Sequence, residues 1–172
     1  NRLAVFVDNT PQPNSRWYSG AGIYRHVDLL ISDAVRIAPW GIYAHTDHIV
    51  NGDAFVTVET TVMNDTAKDA KVQLVSSIID ADGYVVGEAP ALAYVGAMNK
   101  RVARAMVRIP AAKIWDIDSP YLYNVRTEIK CGGMTDEWQD VFGVRTISVD
   151  AVNGFMLNGR TVKLRGGCIH HD

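Results

Sequence analysis

Asp53-Ala54-Phe55-Val56-Thr57-Val58-Glu59-Thr60-Thr61-Val62-Met63-Asn64 is the stretch on which the fold turns. After Phe55, Val56, Val58, Thr60 and Val62 fall on one side at a period of two, and Thr57, Glu59 and Thr61 fall on the other. Side chains of an extended chain alternate between faces, so this spacing describes a strand with one face in a core. The pattern recurs downstream. Ala70 to Asp80 sets Val72, Leu74, Ser76 and Ile78 on one side. Val102 to Ile109 sets Ala103, Ala105, Val107 and Ile109 against Arg104, Met106 and Arg108. Tyr121 to Lys130 and Asp136 to Val144 complete the series, and no stretch keeps the helical i, i+3, i+4, i+7 spacing long enough to define a helix.

Turn chemistry falls between these runs. Asn51-Gly52 precedes the first, in a pair that favours the positive-φ turns of hairpins. Asn64-Asp65-Thr66, Asp80-Ala81-Asp82-Gly83 and Gly132-Gly133 separate the others. Short strands at this spacing, with no crossover helices, predict an all-β antiparallel sandwich from about Val35 to Ser148. The flanks read differently. Arg2 to Asn9 alternates as a strand, Pro11 and Pro13 break it, and an aromatic, glycine-rich stretch follows. On the far side, Gly154 to Arg160 reads as a hairpin through Asn158-Gly159, then a short apolar strand from Thr161 to Leu164.

Composition narrows the class. Of 172 residues, 48% are hydrophobic and 21% charged, which supplies a packed core, and the net charge of −2 comes without the basic stripe that nucleic-acid binding needs. No nucleic-acid partner is expected. No apolar run approaches the ~18 residues of a membrane-spanning helix. Cys131 and Cys168 are too few for a disulfide framework and read as unpaired thiols. Starting at Asn1 without a basic-then-apolar leader, the chain reads as an excised or processed segment whose targeting is not legible.

Generic motifs fall away on inspection. Gly20-Ala21-Gly22 is followed by Arg25 where a dinucleotide fingerprint needs glycine, so Gly20 and Gly22 read as a backbone bend. Asp80-Ala81-Asp82-Gly83 has Tyr84 at the third ligand position of a calcium loop and reads as a hairpin turn. His45 and His48, around Thr46-Asp47, read as exposed turn, and no metal or cofactor is expected in this segment. Asn64-Asp65-Thr66 is a glycosylation sequon. Tyr121 or Tyr123, near the start of a late strand, suits a tyrosine corner.

Three blocks resemble glycoside hydrolase family 2. Asn14-Ser15-Arg16-Trp17-Tyr18-Ser19-Gly20-Ala21-Gly22-Ile23-Tyr24-Arg25 looks like the end of that family's sugar-binding jelly-roll domain. Trp115-Asp116 followed by Ser119-Pro120-Tyr121-Leu122-Tyr123 resembles a segment late in its immunoglobulin-like domain. Phe142-Gly143-Val144-Arg145-Thr146-Ile147, then Gly154 to Gly159 and Val162 to Gly166, resembles the passage into its TIM barrel. The resemblance implies the end of a jelly roll over 1–34, an immunoglobulin-like sandwich over 35–148, and over 149–172 a linker with the first strand of a (β/α)8 barrel.

It also implies roles. His170 stands where the family's first barrel strand is followed by a substrate-facing histidine, with Cys168 and His171 where relatives carry asparagine and an acidic residue. Arg16 and Asp172 are further candidates for sugar contact. The two catalytic glutamates of a retaining family-2 enzyme are expected beyond residue 172, because Glu59, Glu88, Glu128 and Glu137 match neither motif. The segment is therefore expected to be inactive alone. Its parent is read as a β-galactosidase, with β-glucuronidase and β-mannosidase as runners-up. A self-standing carbohydrate-binding or adhesion module is the reading from another class, and it calls for a solvent-exposed aromatic platform. Expected partners are a carbohydrate substrate, the neighbouring jelly-roll and barrel domains, and a second copy in a homo-oligomer. Family association admits a bacterial periplasmic or extracellular location as well as a cytoplasmic one.

Overall fold

The Asp53–Asn64 stretch forms β2, the middle strand of a three-stranded antiparallel sheet between β1 (Val35–Val50) and β5 (Asn99–Ile109). A second antiparallel sheet has the order β4-β3-β6-β7, from β3 (Ala70–Ile79), β4 (Val85–Val95), β6 (Tyr123–Cys131) and β7 (Met134–Phe142). A small third sheet follows, β8 (Ile147–Asp150), β9 (Gly154–Leu157) and β10 (Arg160–Thr161). These come from a computed structural model that describes residues 2–8, 22–23 and 25–168. The chain divides into two compact units, Ile31–Lys163 and Asn1–Leu30 with Leu164–Asp172. The first two sheets form an immunoglobulin-like sandwich whose fourth strand pairs with the third rather than the fifth.

Each alternating run buries the face its pattern assigns. Ala54, Val56, Val58, Thr60, Val62 and Asn64 of β2 all point inward, as do Ala103, Ala105, Val107 and Ile109 of β5. Val72, Leu74 and Ile78 of β3 lie beside Val125 and Ile129 of β6 on the inner face of the second sheet, in the same core. Each such side chain contributes about 1.5–3 kcal/mol when fully withdrawn from water. Two further strands, β1 and β4, lie in stretches where no alternation singles them out. β1 carries a bulge between Ile37 and Ile42, in which Trp40 adopts φ 56°. β4 includes Pro90 and Gly87 and runs along the sheet's edge, the place where proline is tolerated.

The turns follow their sequences. Asn51 and Gly52 (φ 52° and 87°) close the β1–β2 hairpin, where both residues of a type I′ turn need positive φ. Asn158 and Gly159 (φ 51° and 74°) do the same between β9 and β10. Three buried hydroxyls form a cluster between the sheets. The Thr127 hydroxyl lies 3.0 Å from that of Ser76 and 3.4 Å from that of Thr60, joining the two sheets through hydroxyls that are all buried.

Two expectations on the flanks are corrected. Residues 2–8 form no strand, and Leu3 and Phe6 are exposed. Their alternation finds no ladder among the described residues, and an extended segment without one is marginal. Likewise the last strand stops at Thr161 rather than running to Leu164, and residues 162–168 have no regular structure. Gly22 does adopt a backbone that favours glycine, at φ 128°.

Candidate functional site

The second and third resemblance blocks meet at one end of the sandwich, and Trp115 is their centre. Its backbone N–H donates to the Val144 carbonyl at 2.8 Å, and the Arg145 guanidinium lies over its ring at 5.1 Å. Gly143 passes beneath it. A methyl there would come within 2.6 Å of the Trp115 Cβ, so the glycine is dictated by close approach. From the next sheet, Asn158 reaches back. Its amide donates to the Trp115 carbonyl at 3.0 Å and to the Asp116 carboxylate at 3.2 Å, and its carbonyl oxygen accepts from Thr146 N–H at 3.0 Å. Arg160 completes the knot with a 2.6 Å ion pair to Asp116. Partial desolvation pushes the Asp116 carboxyl up, but hydrogen bonds from Asn158 and Ile117 and the Arg160 charge outweigh it and hold it below the ordinary carboxylate range.

Tyr123 forms the tyrosine corner, and Tyr121 makes a separate hydroxyl-to-backbone bond to a distant turn. Tyr123 opens β6, is buried, and its hydroxyl accepts from Lys113 N–H at 2.8 Å. Burial, the largest cause, raises its hydroxyl pKa above the usual value. Tyr121 accepts from Ala81 N–H at 3.1 Å and carries the Lys113 ammonium over its ring at 4.7 Å.

Of the residues expected to contact sugar, His170, Arg16 and Asp172 all lie outside the described residues, as do Trp17 and Tyr18. Other candidates are placed. His45 Nε2 lies 3.2 Å from Asp47 Oδ1, whereas His48 stacks on Phe55 with centroids 4.5 Å apart. Asp80 Oδ1 accepts from the backbone N–H groups of Asp82 and Tyr84, which makes the loop a hairpin turn. Among the glutamates, Glu59 pairs with Arg104 at 2.7 Å and Glu88 accepts from Ser77 at 2.9 Å. Glu128 and Glu137 sit opposite each other in the β6–β7 register. Asn64 of the sequon is buried. Its amide donates to the carbonyls of Lys68, Val95 and Gly96, and its oxygen accepts from Thr66 N–H and Oγ1.

One feature of β1 escaped the sequence reading. β1 and β7 are free edges of different sheets, tied at one end where Ile37 N–H donates to Asp136 at 2.8 Å. Farther along they part and leave a cleft of about 490 Å³, lined among others by Tyr43, His45, Thr46, Asp140, Phe142 and Arg145. The only available signal was the Tyr43-Ala44-His45 alternation, short and set between a bulge and a turn.

The class that this topology defines is the immunoglobulin-like β-sandwich, here capped by a polar knot where the chain passes into a further small sheet. The family model for glycosyl hydrolases family 2 matches residues 35–145, and the chain belongs to that family. It is 39% identical over its full length to the β-galactosidase BoGH2A of Bacteroides ovatus, of which it covers 20%. A putative β-glucuronidase of Formosa agariphila is 30% identical, with all of this chain and 16% of that protein covered. The crystal structure of a family 2 member from Bacteroides cellulosilyticus superposes with a TM-score of 0.84 at 35% identity, over 96% of this chain and 23% of that one. The chain thus spans about a fifth of the length of these relatives.

Proposed function

We propose that this chain is the non-catalytic sandwich segment of a retaining β-galactosidase acting on terminal β-D-galactosides. The observation that carries the specificity is the 39% identity to a β-galactosidase along the whole chain, against 30% to a putative β-glucuronidase. Residues 1–34 then end a jelly-roll domain, 35–148 form the linking sandwich, and 149–172 lead into the barrel. The family's two catalytic glutamates come from the rest of the parent. Glu59, Glu88 and Glu128 are engaged in polar pairs with Arg104, Ser77 and Arg126, and Glu137 is exposed on β7, which supports a structural or surface role for these four. His170 contributes a substrate hydrogen bond at the barrel mouth, with Arg16 and Asp172 as neighbours in that role.

The test is the full-length parent's kcat/KM on p-nitrophenyl β-galactoside, β-glucuronide and β-mannoside. The reading predicts that the galactoside leads by at least an order of magnitude, the discrimination that a few well-placed hydroxyl contacts provide. A lead for the glucuronide or the mannoside transfers the assignment to that sugar. His170→Ala in the parent should lower kcat/KM by ~10-fold or more while leaving Tm unchanged, as loss of a transition-state hydrogen bond does.

A further inference from the structure

We infer that the sandwich carries a second, non-catalytic carbohydrate site in the cleft between the free edges of β1 and β7, with Tyr43 as its stacking platform and His45, Asp140 and Arg145 along its wall. The inference rests on the proposed function only for the chemical class of the ligand. Tyr43 is 62% exposed yet held still. Its ring stacks on His45 at 5.2 Å and 28°. His45 Nε2 is anchored 3.2 Å from Asp47, and Asp47 in turn accepts from the Thr57 hydroxyl at 2.6 Å. One face of the ring is therefore backed by a chain of polar contacts, and a platform fixed in advance loses little entropy on binding.

The rest of the wall suits a sugar. Leu122, Val141 and Ile147 present exposed apolar surface around the cleft, and Asp140 and Arg145 place an acceptor and a donor in the same lining. A pyranose has this duality, with an apolar C–H face and a rim of hydroxyls that both donate and accept. About 490 Å³ falls within the ~300–1,000 Å³ of small-ligand sites.

Affinity gels containing β-1,4-galactan or the glucuronate polymer heparosan test the proposal on the 172-residue chain. One polymer should retard it, and Tyr43→Ala and Asp140→Asn should each weaken retardation about tenfold or more while circular dichroism stays unchanged. Met106→Ala, on the outer face of the β1-β2-β5 sheet, should leave retardation intact. Retardation by neither polymer, or equal retardation of Tyr43→Ala and Asp140→Asn, overturns the site. So does retardation that Met106→Ala also abolishes. A further arm labels Tyr43→Cys with maleimide in the chain and in the full-length parent. Equal rates are expected, and protection in the parent alone shows that another domain covers the cleft. Turnover of the chromogenic glycosides by the parent keeps the outcomes apart. Turnover without retardation removes only this site, and retardation without turnover removes only the enzymatic reading.

Discussion

Gly143 lies directly beneath Trp115, and a methyl added to its Cα would fall 2.6 Å from the Trp115 Cβ and 2.7 Å from Cγ. Residues 28 positions apart in sequence are thereby locked, and the Trp115 N–H to Val144 carbonyl bond holds the contact in register. Gly143→Ala must push the indole away and weaken its stacking under Arg145. The expected cost is ~1–3 kcal/mol, as for overpacking a filled site. Urea unfolding of the chain measures it, with near-UV circular dichroism reporting the indole's movement. An unchanged midpoint would show that the two segments are not clamped.

The two tyrosine hydroxyls should not be equivalent. Tyr123→Phe leaves the Lys113 N–H without its acceptor beside a buried ring, and ~1–3 kcal/mol is expected to be lost. Tyr121→Phe frees the Ala81 N–H at an exposed turn, where water replaces the acceptor, so the loss should stay below ~1 kcal/mol. Comparison of the two midpoints in one urea series checks the order, and a larger loss for Tyr121→Phe contradicts it.

The Asn64 sequon should behave as a structural element and not as a glycan acceptor. All its amide capacity is used inside the fold, on three carbonyls and on Thr66. Asn64→Ala is expected to cost ~3 kcal/mol or more, because several buried polar groups lose partners at once. Produced in a glycosylating host, the folded chain should run at its unmodified mass. A folded, glycosylated species by mass spectrometry would contradict the burial of this side chain.

Acid should unfold the sandwich through a small set of carboxylates. Backbone hydrogen bonding from Ala111 and the Arg108 side chain lower Asp53, the N–H and amide of Asn153 with the N–H of Val152 lower Asp150, and the Asn158 knot lowers Asp116 against its desolvation. A carboxyl whose folded pKa lies below its unfolded one stabilises the fold above the unfolded value, near 3.9. That contribution disappears as pH falls through the folded pKa. Tm should therefore hold steady down to about pH 4 and fall below it. Asp116→Asn should flatten part of that decline, and an acid limb identical to the wild type's would exclude Asp116 as a contributor.

The core was legible because β2, β3, β5 and β6 alternate cleanly and bury one face each, whereas β7 buries only Phe142 fully. Asn51-Gly52 and Asn158-Gly159 announced their hairpins because only a few residue types accept positive φ at both positions. β4 was not legible. Its inward face is built from small residues such as Ala93, and Gly87 and Pro90 blur the period. β1 hid behind its bulge, and the Tyr43–His45–Asp47 relay went with it, since its i, i+2, i+4 spacing is too short to stand out between two register shifts. The knot around Trp115 was visible only as separate motif blocks. Their meeting depends on Asn158, whose long-range contacts to Trp115 and Asp116 no local pattern encodes. On the flanks, alternation at residues 2–8 suggested a strand that the described residues do not pair.

The most direct test of the central claim sets this 172-residue chain beside its full-length parent on p-nitrophenyl β-galactoside, at equal molar concentration and after a contaminant control. The account predicts turnover by the parent and none by the chain, because the reacting carboxylates belong to the rest of the enzyme. Turnover by the chain itself, lost in a variant of Glu128 or Glu137, would contradict it and place an active site on the sandwich.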